Sequence, residues 1–335
     1  MRMPIMIVAM AGLAGLAGCA SSSGVSGRGL DETRVNAVLD EVERDAGPGV
    51  ETTSRLGRSL SPMPLAPDVE RERTRQLDAA IAAVDANPSD EDALIWWGRR
   101  TAYLGHYREA VRIFTAGLRQ HPGSVRLLRH RGHRWITLRR FAEAEADLAA
   151  AAAAGRDQPD AVEPDGLPNR RGIPTSTTKS NVFYHLGLAR YLQGDFDGAA
   201  DAYARGQAFA TNPDMACAMS YWQFLALWRA GRDAEAAAVL VPFHAGVEVI
   251  ENTTYRDLLL LFKGVVDPAG LTPDADNPVG VAIDDATGAY GRAMWHWREG
   301  REDQAFTLLA RIVEGPAWPA FGFIAAEVEL ARRGP

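Results

Sequence analysis

The stretch ALIWWGRRTAYLGHYREAVRIFTAGLRQHP, residues 93–122, decides the fold. Leu94, Trp97, Gly98, Thr101 and Leu104 recur at helical spacing, Gly105-His106 breaks the run, and Tyr107, Ala110, Val111, Phe114 and Leu118 begin a second helix that Pro122 ends. Two such helices, each with one apolar stripe, stay dry by lying against one another. Gly98 and Ala110 remove side-chain bulk where they face, so the axes approach to about 8–10 Å. The pattern then recurs. A shift of 34 residues superposes Gly98 on Gly132, Tyr107 on Phe141, Ala110 on Ala144 and Leu118 on Ala152. A fixed period of this length means a stack of like units.

The unit resembles the tetratricopeptide repeat, with a small residue at its eighth place (Gly98), Gly at the fifteenth (Gly105), aromatics at the seventeenth and twenty-fourth (Tyr107, Phe114) and Ala at the twentieth (Ala110). Units are expected at about 91–124, 125–158, 180–213 and 217–250, with a damaged one over 251–285 and a last one over 286–315. The second carries Arg139 where the turn glycine belongs and Arg131 at a usually apolar place. The third is in phase throughout, with Gly187, Gly194, Phe196, Ala199 and Tyr203. The fourth puts Asp233 at the aromatic place. Residues 69–86 read as an orphan second helix that caps the stack, and 318–332 as a C-terminal cap with alternating exposed charge. The resemblance covers about residues 69–332 and implies an all-α, right-handed solenoid of about five to six helix pairs with capping helices. On function it is nearly silent.

Ahead of the solenoid stands an address. Arg2 supplies a positive start, residues 5–16 carry no charge, and the run is too short at about 12 residues to span a bilayer. Leu16-Ala17-Gly18-Cys19 resembles the bacterial lipoprotein lipobox. That resemblance implies that residues 1–18 are a signal peptide, that Cys19 carries the lipid (a palmitate-type acyl anchor), and, through Ala20, that the protein sits in the outer membrane facing the periplasm. Residues 19–68 are expected as a flexible tether, Ser/Gly-rich at first and proline-dense over 61–67. Within it Val35, Val38, Leu39 and Val42 share one side of a short helix, which either packs on the solenoid or binds a partner.

The chain has 335 residues and a net charge of −7, which with the export signal gives no reason to expect nucleic acid. With Cys19 committed to lipid, Cys217 has no disulfide partner and reads as a small buried hydrophobe. The charge is nonetheless segregated. Between Arg99 and Arg140 stand eleven arginines against the single acid Glu109. The concave face of such a stack is lined by the first helix of each unit, which places Arg99, Arg126, Arg129, His130, His133, Asn181, Tyr184 and His185 in one positive, partly aromatic groove. Arginine grips a carboxylate with two hydrogen bonds, so the groove suits an acidic segment; a merely solvated face is the other reading. The family's carboxylate-clamp pattern is not met, since Ile95 and Arg99 stand where Lys and Asn belong.

Catalytic and metal signals are weak. His130 and His133 lie one turn apart without an acid nearby to complete a site. Ser176-Thr177-Thr178-Lys179 matches Ser-x-x-Lys, but Lys-Thr-Gly is absent. Asp274 to Asn277 offers oxygen ligands without a calcium loop. No cofactor and no metal are expected. The inserted segment 155–178, where repeats normally turn in a few residues, is either disordered or placed at the groove mouth beside Arg129 and Tyr184. The leading expectation is a non-enzymatic, lipid-anchored scaffold for an envelope protein or peptide with an acidic segment. The alternative is a glycan- or lipid-binding, or catalytic, lipoprotein that uses Trp295, Trp297 and segment 264–285. A third is that the arginines hold anionic lipid headgroups near the anchor.

Overall fold

The computed structural model describes residues 29–268, 271 and 280–334, with the side chains of 280–285 excepted. Cys19 and the lipobox lie outside the described residues, as does Asp274 to Asn277. Helix α1 (Glu32–Ala46) leads into a two-stranded hairpin, β1 (Thr52–Thr53) and β2 (Ser59–Leu60). The stack follows: α2 (Pro67–Ala86), α3 (Glu91–Tyr103), α4 (Tyr107–Gln120), α5 (Val125–Thr137), α6 (Phe141–Ala154), α7 (Thr178–Gln193), α8 (Phe196–Gly206), α9 (Pro213–Arg229) and α10 (Asp233–Leu240). It ends with α11 (Thr253–Phe262), α12 (Gly280–Arg298), α13 (Glu302–Glu314) and α14 (Phe321–Arg333). From α2 to α14 each helix packs on the next, so the chain is an all-α solenoid of tetratricopeptide-type helix pairs.

Local chemistry sets the starts. Asp90, Ser124, Asp195 and Asn212 each accept a backbone N–H three residues on, and Thr177 with Ser180 forms a reciprocal cap. The small residue at the eighth place of the unit then proves to be a seat. A Cβ on Gly98 would lie 2.3 Å from the Phe114 ring, one on Gly132 2.6 Å from Leu148, and one on Gly187 2.6 Å from Tyr203. The same offset in three units fixes how the second helix lies on the first.

Three departures from expectation follow from charge. Residues 29–66, expected as tether, are laid on the solenoid. Val35, Val38, Leu39 and Val42 are buried, and the acids of α1 meet the basic helices: Glu32 on Arg119 (2.6 Å), Glu41 on Arg140 (3.1 Å), Glu43 on Arg112 (3.4 Å). Arg131, at an apolar place, is 1% exposed and holds Asp147 through both Nε and Nη2 at 2.7 Å. Leu30 joins the knot, its N–H on Asp147 (3.1 Å) and its carbonyl on Arg131 (2.8 Å), while the Trp135 indole also donates to Asp147 (3.1 Å).

The third departure closes the stack on itself. Arg139 takes the turn's left-handed conformation at φ 62° although it is not glycine, at a cost of about 1 kcal/mol. Its guanidinium thereby reaches Glu327 (2.8 Å) and the Trp318 carbonyl (2.9 Å). Glu327 also accepts the Arg55 N–H, and Trp318 donates to the Ser61 carbonyl (2.8 Å). The cap helix α14 therefore carries no alternating exposed charge. Glu327 and Glu329 are buried, Glu329 being paired with Arg229 (2.6 Å) and Arg332 (3.0 Å). The damaged unit keeps its first helix as α11; α12 begins at Gly280, ahead of the expected 286.

Candidate functional site

Of the eleven arginines, eight have a carboxylate partner: Arg108, Arg112, Arg119, Arg126, Arg129, Arg131, Arg139 and Arg140. Apart from Arg112, which also pairs with Glu109, they find it outside the basic stretch. The segregation seen along the sequence is thus mostly neutralised in space, largely by α1. Arg99, Arg100 and Arg134 are left with aromatic and polar contacts instead. Arg99 lies 4.4 Å from the Trp96 ring and donates to the Tyr103 hydroxyl (3.3 Å), Arg100 lies 4.8 Å from Trp96 and donates to the Gly166 carbonyl (3.0 Å), and Arg134 lies 5.6 Å from the Tyr107 ring.

Around this unbalanced charge lies a cavity of about 110 Å³, lined by Arg99, Tyr103, Arg129, His130, His133 and Arg134 together with Ala102 and Phe114. The carboxylate paired with a lining side chain is Glu163, from the inserted segment. It takes Arg129 Nη2 at 3.0 Å, faces His130 Nε2 at 3.8 Å and accepts from Asn181 (3.1 Å). Arg129 Nε is buried without a partner. Burial holds Arg134 down to about 10. Burial first, then the adjacent guanidiniums, pushes His130 and His133 well below the ordinary imidazole range; His185 is lowered in the same way. All three rings are therefore neutral at pH 7.

The expected open groove is partly filled by the chain's own residues. Phe321, at the start of α14, lies 5.3 Å from His133, 5.6 Å from His185 and 6.1 Å from Tyr184, ring to ring, and His133 lies 4.4 Å from His185. Tyr184 shares its hydroxyl with Tyr255 (2.8 Å) and accepts from the Trp222 indole (3.0 Å), and burial pushes its pKa well above the usual phenol. Arg126, held by Glu91 and Asp92, is half-buried at the edge. The predicted residues therefore divide. Arg99, Arg129, His130 and His133 line one cavity, Asn181 braces Glu163, Tyr184 and His185 pack beneath Phe321, and Arg126 stands apart.

Segment 155–178 lies against the groove. Val162 bridges to Thr177, the Glu163 N–H donates to the Ser176 carbonyl (3.0 Å), and Asn212 donates to the Thr175 carbonyl (2.7 Å). Arg134, Glu163 and Phe321 escaped the sequence reading. Arg134 stood in the counted series one place beyond His133, whereas nothing local marks Phe321, which arrives from the far end of the chain.

The other candidates find ordinary settings. Ser176 accepts from Asn181 (2.8 Å) while Lys179 Nζ turns to the Phe209 ring at 5.2 Å. Cys217 is buried, which pushes its thiol up to about 12. Trp295 and Trp297 are half-buried under Arg301 and Arg229, at 4.3 and 4.6 Å. Among the described residues no three ligating side chains cluster as a metal site would need.

No family model matches the chain, and no curated protein matches it. Among solved structures it is similar to that described as "Crystal structure of YrrB: a TPR protein with an unusual peptide-binding site", at 13% identity over 76% of this chain and 98% of that one, with a TM-score of 0.41. It is also similar to "Structure of Naa15/Naa10 bound to HypK-THB", at 14% identity over 88% of this chain and 39% of that one, with a TM-score of 0.35.

Proposed function

We propose that the chain is a lipid-anchored scaffold that faces the periplasm and takes up an acidic segment of an envelope protein at the basic cavity, without catalysis of its own. The observation that carries the reading is the charge of that cavity. Arg99, Arg129 and Arg134 share one paired acid, Glu163, and Arg129 keeps an unsatisfied buried Nε–H. A buried cation without full compensation is costly, and a carboxylate from a partner relieves that cost through charge-assisted hydrogen bonds. Glu163 acts as a stand-in, since it sits on an inserted segment and not on a repeat helix. A partner's carboxylate takes its place or lies beside it. Acylation at Cys19 follows from the lipobox and brings the site to the outer membrane.

Two experiments bear on it. A pull-down from solubilised envelopes compares the wild type with Arg99→Gln/Arg134→Gln and with Glu163→Gln. The partner is expected to be lost with the first and enriched with the second, and identical partner sets from all three would remove the cavity from the proposal. Mass spectrometry of the membrane-extracted chain tests the anchor: a mature terminus at Cys19 with an acyl mass is expected, and an unmodified N-terminus removes the lipid.

A further inference from the structure

A second cavity, of about 260 Å³, opens where α6 ends, α7 begins and α8 runs into the short 3-10 turn Gln207–Phe209. It shares no lining residue with the basic cavity. Its wall is apolar, built from Val125, Ala151, Ala152, Val182, Phe183 and Phe209, with the two phenyl rings parallel within 1° at 5.7 Å. Val125, Ala151, Val182 and Phe183 are all buried. Its rim is cationic: Arg156, Lys179 and Arg205. Arg205 lies 4.7 Å from the Phe183 ring and Lys179 Nζ lies 5.2 Å from the Phe209 ring, and Lys179 also donates to the Arg156 carbonyl at 3.4 Å. Among the described residues none of the three is in an ion pair, whereas about half of the other arginines are.

We propose that this cavity binds a small amphiphilic anion, with its carboxylate head held by Arg156, Lys179 and Arg205 and its single short apolar tail laid against Val182 and Phe183. Each part of the lining matches one part of such a ligand. The apolar wall gains free energy only from apolar surface. The three cations, with no acid among the lining side chains although Asp160 accepts the Lys179 N–H at 3.0 Å, gain by taking a negative head. A peptide segment is the poorer fit, because the lining has no carboxylate, amide or hydroxyl side chain to accept the N–H groups that a bound main chain presents. The size argues the same way, lying below the about 300–1,000 Å³ of pockets that hold drug-sized ligands.

Calorimetric titration of the full chain with sodium octanoate, acetate and octylammonium as probes tests this. Comparing variants in the same detergent cancels partition of the probe into the micelle. Octanoate is expected to bind, with acetate and octylammonium weaker by about tenfold or more. Arg156→Glu/Lys179→Glu/Arg205→Glu, which alters only the partly exposed rim, is expected to weaken octanoate by about tenfold. Ala152→Leu fills the cavity from its wall and is expected to abolish binding while the basic cavity still retains its partner in the pull-down. Equal isotherms for the wild type and the rim variant, or octylammonium binding as well as octanoate, overturn the proposal. So does failure of octanoate to bind, whether or not a capped acidic peptide is held at this rim. None of these outcomes touches the reading of the basic cavity.

Discussion

Two seams run through the solenoid and are made of opposite materials. Around α5 and α6 the seam is ionic: Arg131 with Asp147, and Arg139 with Glu327, each buried and each taking a backbone group from outside the repeats. Around α7, α9, α11 and α12 it is aromatic. Trp222 and Tyr191 pack edge to face at 5.4 Å, Tyr191 and Tyr290 share a hydrogen bond of 2.8 Å, and Phe224 meets Phe262 at 4.6 Å. The difference lies in what docks there. The aromatic seam joins first helices of the repeats, a task that non-directional burial performs well. The ionic seam has to seat segments with no place in the repeat, namely residues 29–66 and α14, and guanidinium forks choose one position among many for them. Such specificity costs desolvation that only complete pairing offsets.

That contrast can be broken at its strongest point first. Asp147→Ala leaves Arg131 buried and uncompensated and is expected to cost about 3–5 kcal/mol in urea unfolding. The double change Arg131→Met/Asp147→Leu is expected to restore most of that stability while releasing residues 29–46 to proteolysis. If the double variant is as unstable as the single one, the ionic seam holds the fold and does not merely position its guests. On the aromatic side, Gly187→Ala sets a methyl against the Tyr203 ring and is expected to cost about 1–3 kcal/mol by thermal melting.

Acid sharpens the comparison further. His130, His133 and His185 stay neutral in the folded chain because burial lowers their pKa, whereas the unfolded chain takes up protons near the ordinary value of about 6.5. The stability they carry is therefore present above about pH 6.5 and is lost as pH falls below it. Between pH 7.5 and 5.5 the midpoint is expected to drop by a few °C. A His185→Gln variant should flatten that dependence, and an unchanged slope would assign it elsewhere. The smallest effect belongs to the aromatic seam: the Tyr203 hydroxyl is buried without a partner, so Tyr203→Phe is expected to change stability by under about 1 kcal/mol, in the stabilising direction.

Much of this was legible along the chain. The 34-residue shift placed Gly98 and Gly132, and the unit pattern restarting after the insertion placed Gly187, at sites of close approach, because a missing side chain and the large one that fills the gap lie at a constant separation. Arg139 and Arg131 were marked as misfits to the repeat, and both turn out to be the chain's reach to distant partners. The candidate site was half legible. The first-helix positions named Arg99, Arg129 and the two histidines of α5, but the open groove expected around them is narrowed by Glu163 and Phe321. The flexible tether expected over 19–68 is, over residues 29–66, laid on the solenoid, as one of the two readings of the Val35/Val42 stripe had it, with arginines of α4 and Arg140 opposite its acids.

Repeat period, helix caps and turn glycines are properties of neighbours in sequence, so the residue order alone determined that this chain is a stack of helix pairs. Which acid neutralises which arginine, and hence which guanidiniums stay uncompensated around a cavity, depends on segments from 16 to 188 residues apart meeting in space. Only the tertiary structure decided that, because Coulomb interaction and desolvation depend on distance and burial, and neither is written in the order of residues.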